Sequence, residues 1–485
     1  MSVNKVYRPT PSARQVTAKK TRQRRKKSYR GRNIAIGLGL TIVSLMSAAA
    51  GALLAVTLSE SAILKQAELT PEEEQVFNQE KTVAKNNLAI PELSRPVNIL
   101  VLGIKVLTSD LEDSPLTEDL GYHALVNSFE GLSDTMLLIR FDPGKEKLSI
   151  VSIPRDTKVY LDGYGNRKIN HTNDYGGPAL TASTVSDLLG GVEIDRYVRV
   201  NVQGVEKLID ALGGVNVFVP KDMKYNDFSQ HLYIDLKKGQ QHLDGEKAVQ
   251  FLRYRYDGLG DISRVQRQQV LMRALVEQAL KPGTIVKIPK ILEVIKSHLD
   301  TNLTVKELMA LSSFAAQTER SDMQMMMLPG DFNSPEEKVS YWVPNHRQIG
   351  NLMREHFEIE PEQYQSWDER PKPSSLRDFT NTRIAIQNSL EDPAPARKLL
   401  KTLQEAGFYR AYISKDWSEP LQVTKIVAQK GDTTSAKVLR ATLGVGEVLV
   451  ESTGALRSDV TIQVGQDWQD YLALDELEVN SLNYE

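Results

Sequence analysis

The residues best suited to chemistry in this 485-residue chain are arginines placed beside turns and carboxylates. Ser152-Ile-Pro-Arg155-Asp156-Thr157 directly follows an apolar run, so Arg155 and Asp156 fall at the carboxyl end of a strand, where open α/β sheets tend to bind ligands. Arg253-Tyr-Arg255-Tyr closes a helical stretch that starts near Asp244; in extended backbone both arginines would share one face. Two such guanidiniums repel unless an anion lies between them, and phosphate or pyrophosphate suits the gap through bidentate, charge-assisted hydrogen bonds. Asp261-Ile-Ser-Arg264-Val-Gln-Arg267-Gln268-Gln269 opens the clearest long helix, and its Arg264 and Gln268 are an i, i+4 pair able to reach one ligand. Asp134, at the start of another strand, could hold a divalent cation through its oxygens beside an arginine-bound anion. Each piece alone has a plain structural reading as a cap, a surface ion pair or a solvated arginine.

Other chemistries are excluded. There is no cysteine, hence no disulfide and no thiolate nucleophile or ligand, and seven scattered histidines make a poor triad or metal cluster. Phosphate-binding P-loops, dinucleotide glycine fingerprints, zinc-protease histidine pairs and Gly-x-Ser-x-Gly elbows are missing.

The elements that must position these residues alternate between strand and helix, which predicts a layered α/β fold with a central mixed sheet. Asn98-Ile-Leu-Val-Leu-Gly103 reads as a strand buried on both faces. Thr135–Phe141 and Lys147–Ile153 form a hairpin about a Pro-Gly turn, followed by a Gly- and Asn-rich loop over 162–177 and a helix opened by Pro178. Arg196–Val202, Gln203–Leu212 and Val215–Val219 read as strand, helix and strand. The methionine-rich run Met323–Leu328 is a strand whose methionines fill core.

Charge is unevenly distributed. The net charge is −2, yet residues 1–33 carry twelve Lys or Arg and no acidic residue. Ile34–Val56 then runs 23 residues without a charge, enough to cross a hydrocarbon core of about 30 Å as one helix. The basic flank keeps the N-terminus cytoplasmic and everything beyond the helix outside. The predicted order is a basic tail (1–33), an anchor (34–56), a polar stalk (57–96), a main domain (97–358), a linker (359–381), a small α/β domain (382–466) and a loose acidic tail (467–485). Nucleic-acid binding by the basic tail is not expected, because no matching fold signature accompanies it.

With these residues laid out, the chain resembles the LytR-CpsA-Psr family of cell-wall glycopolymer ligases. Nine short strings in the family's order carry the resemblance, among them Ser133-Asp-Thr-Met, Ser152-Ile-Pro-Arg-Asp-Thr, Lys168-Ile-Asn, Arg253-Tyr-Arg and Asp261-Ile-Ser-Arg-Val-Gln-Arg-Gln-Gln. Residues 382–466 look like the LytR C-terminal domain.

The resemblance implies a phosphotransferase that moves a glycopolymer from a polyprenyl pyrophosphate to peptidoglycan or another wall glycan, releasing polyprenyl phosphate. Arg155, Arg253, Arg255, Arg264, Arg267 and Gln268 would clasp the pyrophosphate, and the lipid tail would lie between sheet and helices. Asp134 would be a ligand of Mg2+ or Mn2+, and Asp156 or Asp134 could assist deprotonation. Where the family carries a second carboxylate, this chain has Lys105, which could neutralise phosphate, leaving Asp110, Glu112 or Asp113 as alternative ligands. A membrane-tethered module that binds an anionic polymer or lipid without turnover fits the same residues.

Overall fold

The strand expected from Asn98-Ile-Leu-Val-Leu-Gly103 lies at the middle of the main sheet in a computed structural model that describes residues 69–77, 82–85, 91–104, 129–227, 232–254, 261–279, 281–319, 322–334, 337, 339–359 and 381–473. Six strands make that sheet: β1 (Val97–Ile104), β2 (Ser133–Asp142), β3 (Lys147–Ile153), β4 (Arg196–Asn201), β5 (Leu299–Thr301) and β6 (Met323–Met327), in spatial order β5-β4-β1-β2-β3-β6. β1–β2, β2–β3 and β4–β5 are antiparallel, whereas β1–β4 and β3–β6 are parallel, so the sheet is mixed as predicted.

Helices explain why β1 is apolar on both faces. On one side Leu100, Leu102, Leu138 and Val151 pack with Ala182 and Val185 of α1 (Thr172–Leu188). On the other, Leu137, Ile150 and Met325 meet Met272 of a long helix introduced below. The Gly-Asn segment before α1 is more regular than a loop: Lys158–Leu161 pairs with Gly165–Lys168, and a 3-10 turn spans Ile169–His171. Short polar strands lack an apolar alternation to betray them. Gly176 and Gly177 break the helical dihedrals, with Gly177 at φ 59°, so the regular helix starts at Pro178.

After β4, α2 (Val202–Leu212) is capped by the Asn201 side chain and ends on left-handed Gly213. Val215–Val219 is a strand, but it pairs with Gly239–Leu243 in a separate two-stranded layer over its own apolar cluster. α3 (Gly245–Arg253) and α4 (Asp261–Ala279) follow, and α5 (His346–Phe357) lies near the end of the main domain.

The stalk expectation needs correcting. Phe77 is buried, with its ring 5.1 Å from that of Tyr197, and Ala84–Lys85 pairs with Glu92–Leu93. Packing therefore begins ahead of Val97; a single buried aromatic in a polar stretch is too little pattern to read. The anchor expected over Ile34–Val56 lies outside the described residues, and among the described residues no helix is long and apolar enough to cross a membrane.

The C-terminal part has a five-stranded sheet of β7 (Ile384–Asn388), β8 (Ala411–Ile413), β9 (Lys425–Val427), β10 (Glu447–Leu449) and β11 (Val460–Val464), in order β8-β7-β11-β9-β10. α6 (Ala394–Glu405) and α7 (Thr433–Leu443) cover it. The segment expected to be a loose tail starts instead with core: Trp468 is buried and donates to the Pro395 carbonyl at 3.1 Å. This part also covers the β6 edge of the main sheet. Met325 N–H donates to the Val450 carbonyl and Met327 N–H to that of Gln429, both at 2.8 Å, which satisfies an edge that would otherwise be open to pairing.

Candidate functional site

Arg155 and Asp156 are held by a turn whose geometry follows from the local sequence. The Pro154 carbonyl accepts from Thr157 N–H at 3.0 Å and from the Thr157 hydroxyl at 2.6 Å, so Arg155 and Asp156 occupy the bend. Two further segments pin it through three hydrogen bonds: Asn170 N–H donates to the Arg155 carbonyl, Ile169 N–H to that of Thr157 and Trp342 N–H to that of Asp156. With the backbone fixed from several sides, the two side chains need little ordering on binding a ligand.

Their side chains form a chain of alternating charge. Arg155 Nη1 donates to Asp134 Oδ1 at 2.9 Å, Arg155 Nε lies 3.5 Å from Asp156 Oδ2, and Lys168 Nζ reaches Asp156 Oδ1 at 2.7 Å. Side-chain exposure of 21% for Arg155 and 28% for Lys168 leaves both cations within reach of an incoming anion. Lys168 is a site residue that sequence reasoning did not assign; its signal was the Lys168-Ile-Asn string, and the hairpin ending at Lys168 carries it to Asp156.

Arg155 and Asp134 also line a narrow slot between the sheet and α4, with a cavity volume of about 30 Å³. Gln268, Gln269 and Met272 form the helix wall, and Met325 and Met327 of β6 the sheet wall. Gln268 thus lines the same slot as Arg155. Met325 and Met327 are buried in the core, as read from the sequence, and also line the slot.

Other predicted residues are placed differently. Arg253 is the last residue of α3, half-buried, and Tyr254 N–H still donates to the Gln250 carbonyl at 3.1 Å. The extended backbone expected to align it with Arg255 begins only at Tyr254. Arg267 is buried on another side of α4, donates to the Tyr254 carbonyl and lies 5.8 Å from the Tyr254 ring. It borders a separate hollow of about 440 Å³ shared with the C-terminal part, so it does not join Arg155. Lys105, Arg255, Asp110, Glu112 and Asp113 lie outside the described residues, and of Arg264 only the helical backbone of α4 is described.

For a divalent cation, Asp134 is the carboxylate this slot offers, and it already accepts from Arg155. Among the described residues there is no group of three or more histidine or acidic side chains that could hold a metal. A cation held by Asp134 alone would have to take most of its ligands from phosphate and water, as Mg2+ can.

The model of the LytR-CpsA-Psr family matches residues 60–358, and that of the LytR cell envelope-related transcriptional attenuator matches residues 381–468. The chain is 31% identical over 242 residues to TagV of Bacillus subtilis, named a polyisoprenyl-teichoic acid–peptidoglycan teichoic acid transferase; the match covers 48% of this chain and 62% of that protein. It is 30% identical over 272 residues to TagU of Bacillus cereus, which bears the same description, covering 55% of this chain and 80% of the relative. The crystal structure of B. subtilis TagV matches at 28% identity and a TM-score of 0.44, over 55% of this chain and 99% of that one. With the family model spanning well over half of its residues, the chain belongs to the LytR-CpsA-Psr family.

Proposed function

We propose that this protein is a phosphotransferase that moves a glycopolymer from a polyprenyl pyrophosphate carrier to a hydroxyl of peptidoglycan or another wall glycan. The acceptor oxygen bonds to the phosphorus nearest the glycan, the bond from that phosphorus to the bridging oxygen breaks, and polyprenyl phosphate leaves. The carrying observation is the position of Arg155, held in a fixed turn at the polar end of a methionine-lined slot. An anionic head would meet Arg155 at the polar end, and an apolar tail would enter only as the methionine side chains shift. The names of TagV and TagU support the same reaction class.

Phosphoryl transfer depends chiefly on positioning and charge neutralisation. Asp134 occupies Arg155 as a phosphate oxygen would. A pyrophosphate competes for that guanidinium, and the displaced Asp134 carboxylate becomes available to hold Mg2+ or Mn2+, which would neutralise phosphate charge. Asp156 remains tied to Lys168 and orients Arg155, and either Asp156 or Asp134 accepts the acceptor hydroxyl's proton. Gln268, Arg264, Arg253, Arg255 and Lys105 complete the headgroup contacts in this reading.

The uncharged run Ile34–Val56 anchors the protein in the cytoplasmic membrane by a single pass, with the basic tail inside and both domains outside. The deciding experiment incubates the full-length protein with a lipid-linked glycan and wall acceptor. Released polyprenyl phosphate that disappears in Arg155→Ala supports transfer, whereas tight donor binding without product supports a non-catalytic module.

A further inference from the structure

The slot beside Arg155 has one wall that belongs to neither the main sheet nor α4. Ser452, from the loop after β10 in the C-terminal part, lines it together with Asp134, Arg155, Gln268 and Gln269. Its side chain is 1% exposed, and among the described residues its hydroxyl has no hydrogen-bond partner. Gln269 Oε1, in the α4 wall, is likewise buried and, among the described residues, unpartnered. Buried polar groups are nearly always paired, so an orphan hydroxyl on a residue that lines the slot calls for a polar guest.

The loop is built to keep Ser452 there. Two residues earlier, the Val450 carbonyl accepts from Met325 N–H at 2.8 Å. The adjacent Glu451 binds Arg273 of α4 at 3.1 Å, and the Thr453 hydroxyl donates to Glu451 at 3.3 Å. Gly454 packs so closely that a Cβ there would lie 2.4 Å from Thr461 Oγ1. The C-terminal part thus grips both walls, strand β6 and helix α4, on either side of an unsatisfied hydroxyl.

We propose that Ser452 is a substrate-positioning residue supplied by the C-terminal part, donating its hydroxyl hydrogen to a phosphate oxygen of the donor lipid. This rests on the phosphotransferase reading for the identity of the ligand. A hydroxyl donor suits a phosphate oxygen here, because the slot also carries the Asp134 carboxylate, which repels phosphate, and a neutral donor adds attraction without further charge. The C-terminal part then acts as a third wall of the site, and its removal opens the slot along β6.

The test is calorimetric titration of the full-length protein in detergent with geranylgeranyl pyrophosphate and with geranylgeraniol, which has the same tail and no phosphate. Ser452→Ala is expected to raise the Kd for the pyrophosphate about tenfold, the usual effect of losing one hydrogen bond to a charged group, and to leave the alcohol's Kd unchanged. Its melting temperature should hold or rise, since an unpaired buried hydroxyl is removed. Equal pyrophosphate affinity in wild type and variant overturns the proposal, and so does equal weakening toward both ligands with a lowered melting temperature. Wild-type turnover with unaltered Ser452→Ala binding removes this inference alone. Pyrophosphate binding that depends on Ser452 without any release of polyprenyl phosphate from a lipid-linked glycan removes the transferase reading alone, and no binding by wild type removes both.

Discussion

Arginines on strands and turns of one sheet take two different forms here, one around Arg155 and one around Arg196 and Arg199. Arg196 pairs with Glu307 at 2.6 Å with side-chain exposures of 6% and 8%, and Arg199 pairs with Asp300 just as deeply. Arg199 also donates to the Phe129 carbonyl and to Asn173 Oδ1, both at 3.3 Å. Arg155 has similar partners but keeps 21% of its side chain open and faces a slot. Both groups contain guanidinium and carboxylate in contact, so residue type does not separate them. Access does: a sealed pair can only hold the fold, whereas an open one can exchange a carboxylate for a phosphate.

The sharpest way to break this contrast is at Glu307, which accepts from Arg196 and also completes a capping box with Thr304 at the start of the helix Val305–Gln317. Glu307→Ala should cost about 3–5 kcal/mol of stability, because it leaves Arg196 buried without a counter-charge. Denaturant melts measure this, and Glu307→Gln should cost less because it keeps the cap. Arg155→Ala should do the opposite, lowering turnover by about 100- to 1000-fold while the melting midpoint scarcely moves. If Arg155→Ala unfolds the protein, or Glu307→Ala abolishes turnover in the folded fraction, the distinction fails.

A finer test replaces the sealed pair outright. Arg196→Met with Glu307→Leu should fall near wild-type stability, since apolar groups of similar volume avoid desolvating two charges. A loss as large as that of Glu307→Ala would show that the charges themselves are needed. The smallest effect concerns pH at the seam with the C-terminal part, where His356 contacts Gln324 Oε1 at 2.8 Å and the Gly431 carbonyl at 3.2 Å. Burial holds the His356 imidazole below its usual range, against the opposing pull of the Gly431 carbonyl and Glu355. The unfolded chain then takes up a proton first as pH falls below about 6.5, so stability present at neutral pH declines on acidification. Thermal melts from pH 7 to 5 should slope downward, and His356→Gln should flatten that slope.

Local pattern and tertiary assembly divided the information between them. The sequence by itself determined β1, the β2–β3 hairpin, the Pro178 helix start and the Arg155-Asp156 turn, because apolar periodicity, Pro-Gly punctuation and a Pro-x-x-Thr bend act over a few residues. The resemblance to the family alone joined Arg155, Asp134 and Gln268, which the fold places along one slot. Only the tertiary structure decided that Arg267 turns away to Tyr254 while Lys168 and Ser452 join the site. Lys168 arrives by a polar hairpin, and Ser452 comes from about 300 residues beyond Arg155, across the β6 edge. Contacts of that range depend on which sheet edge a second domain covers, and no local rule of spacing or propensity carries that information.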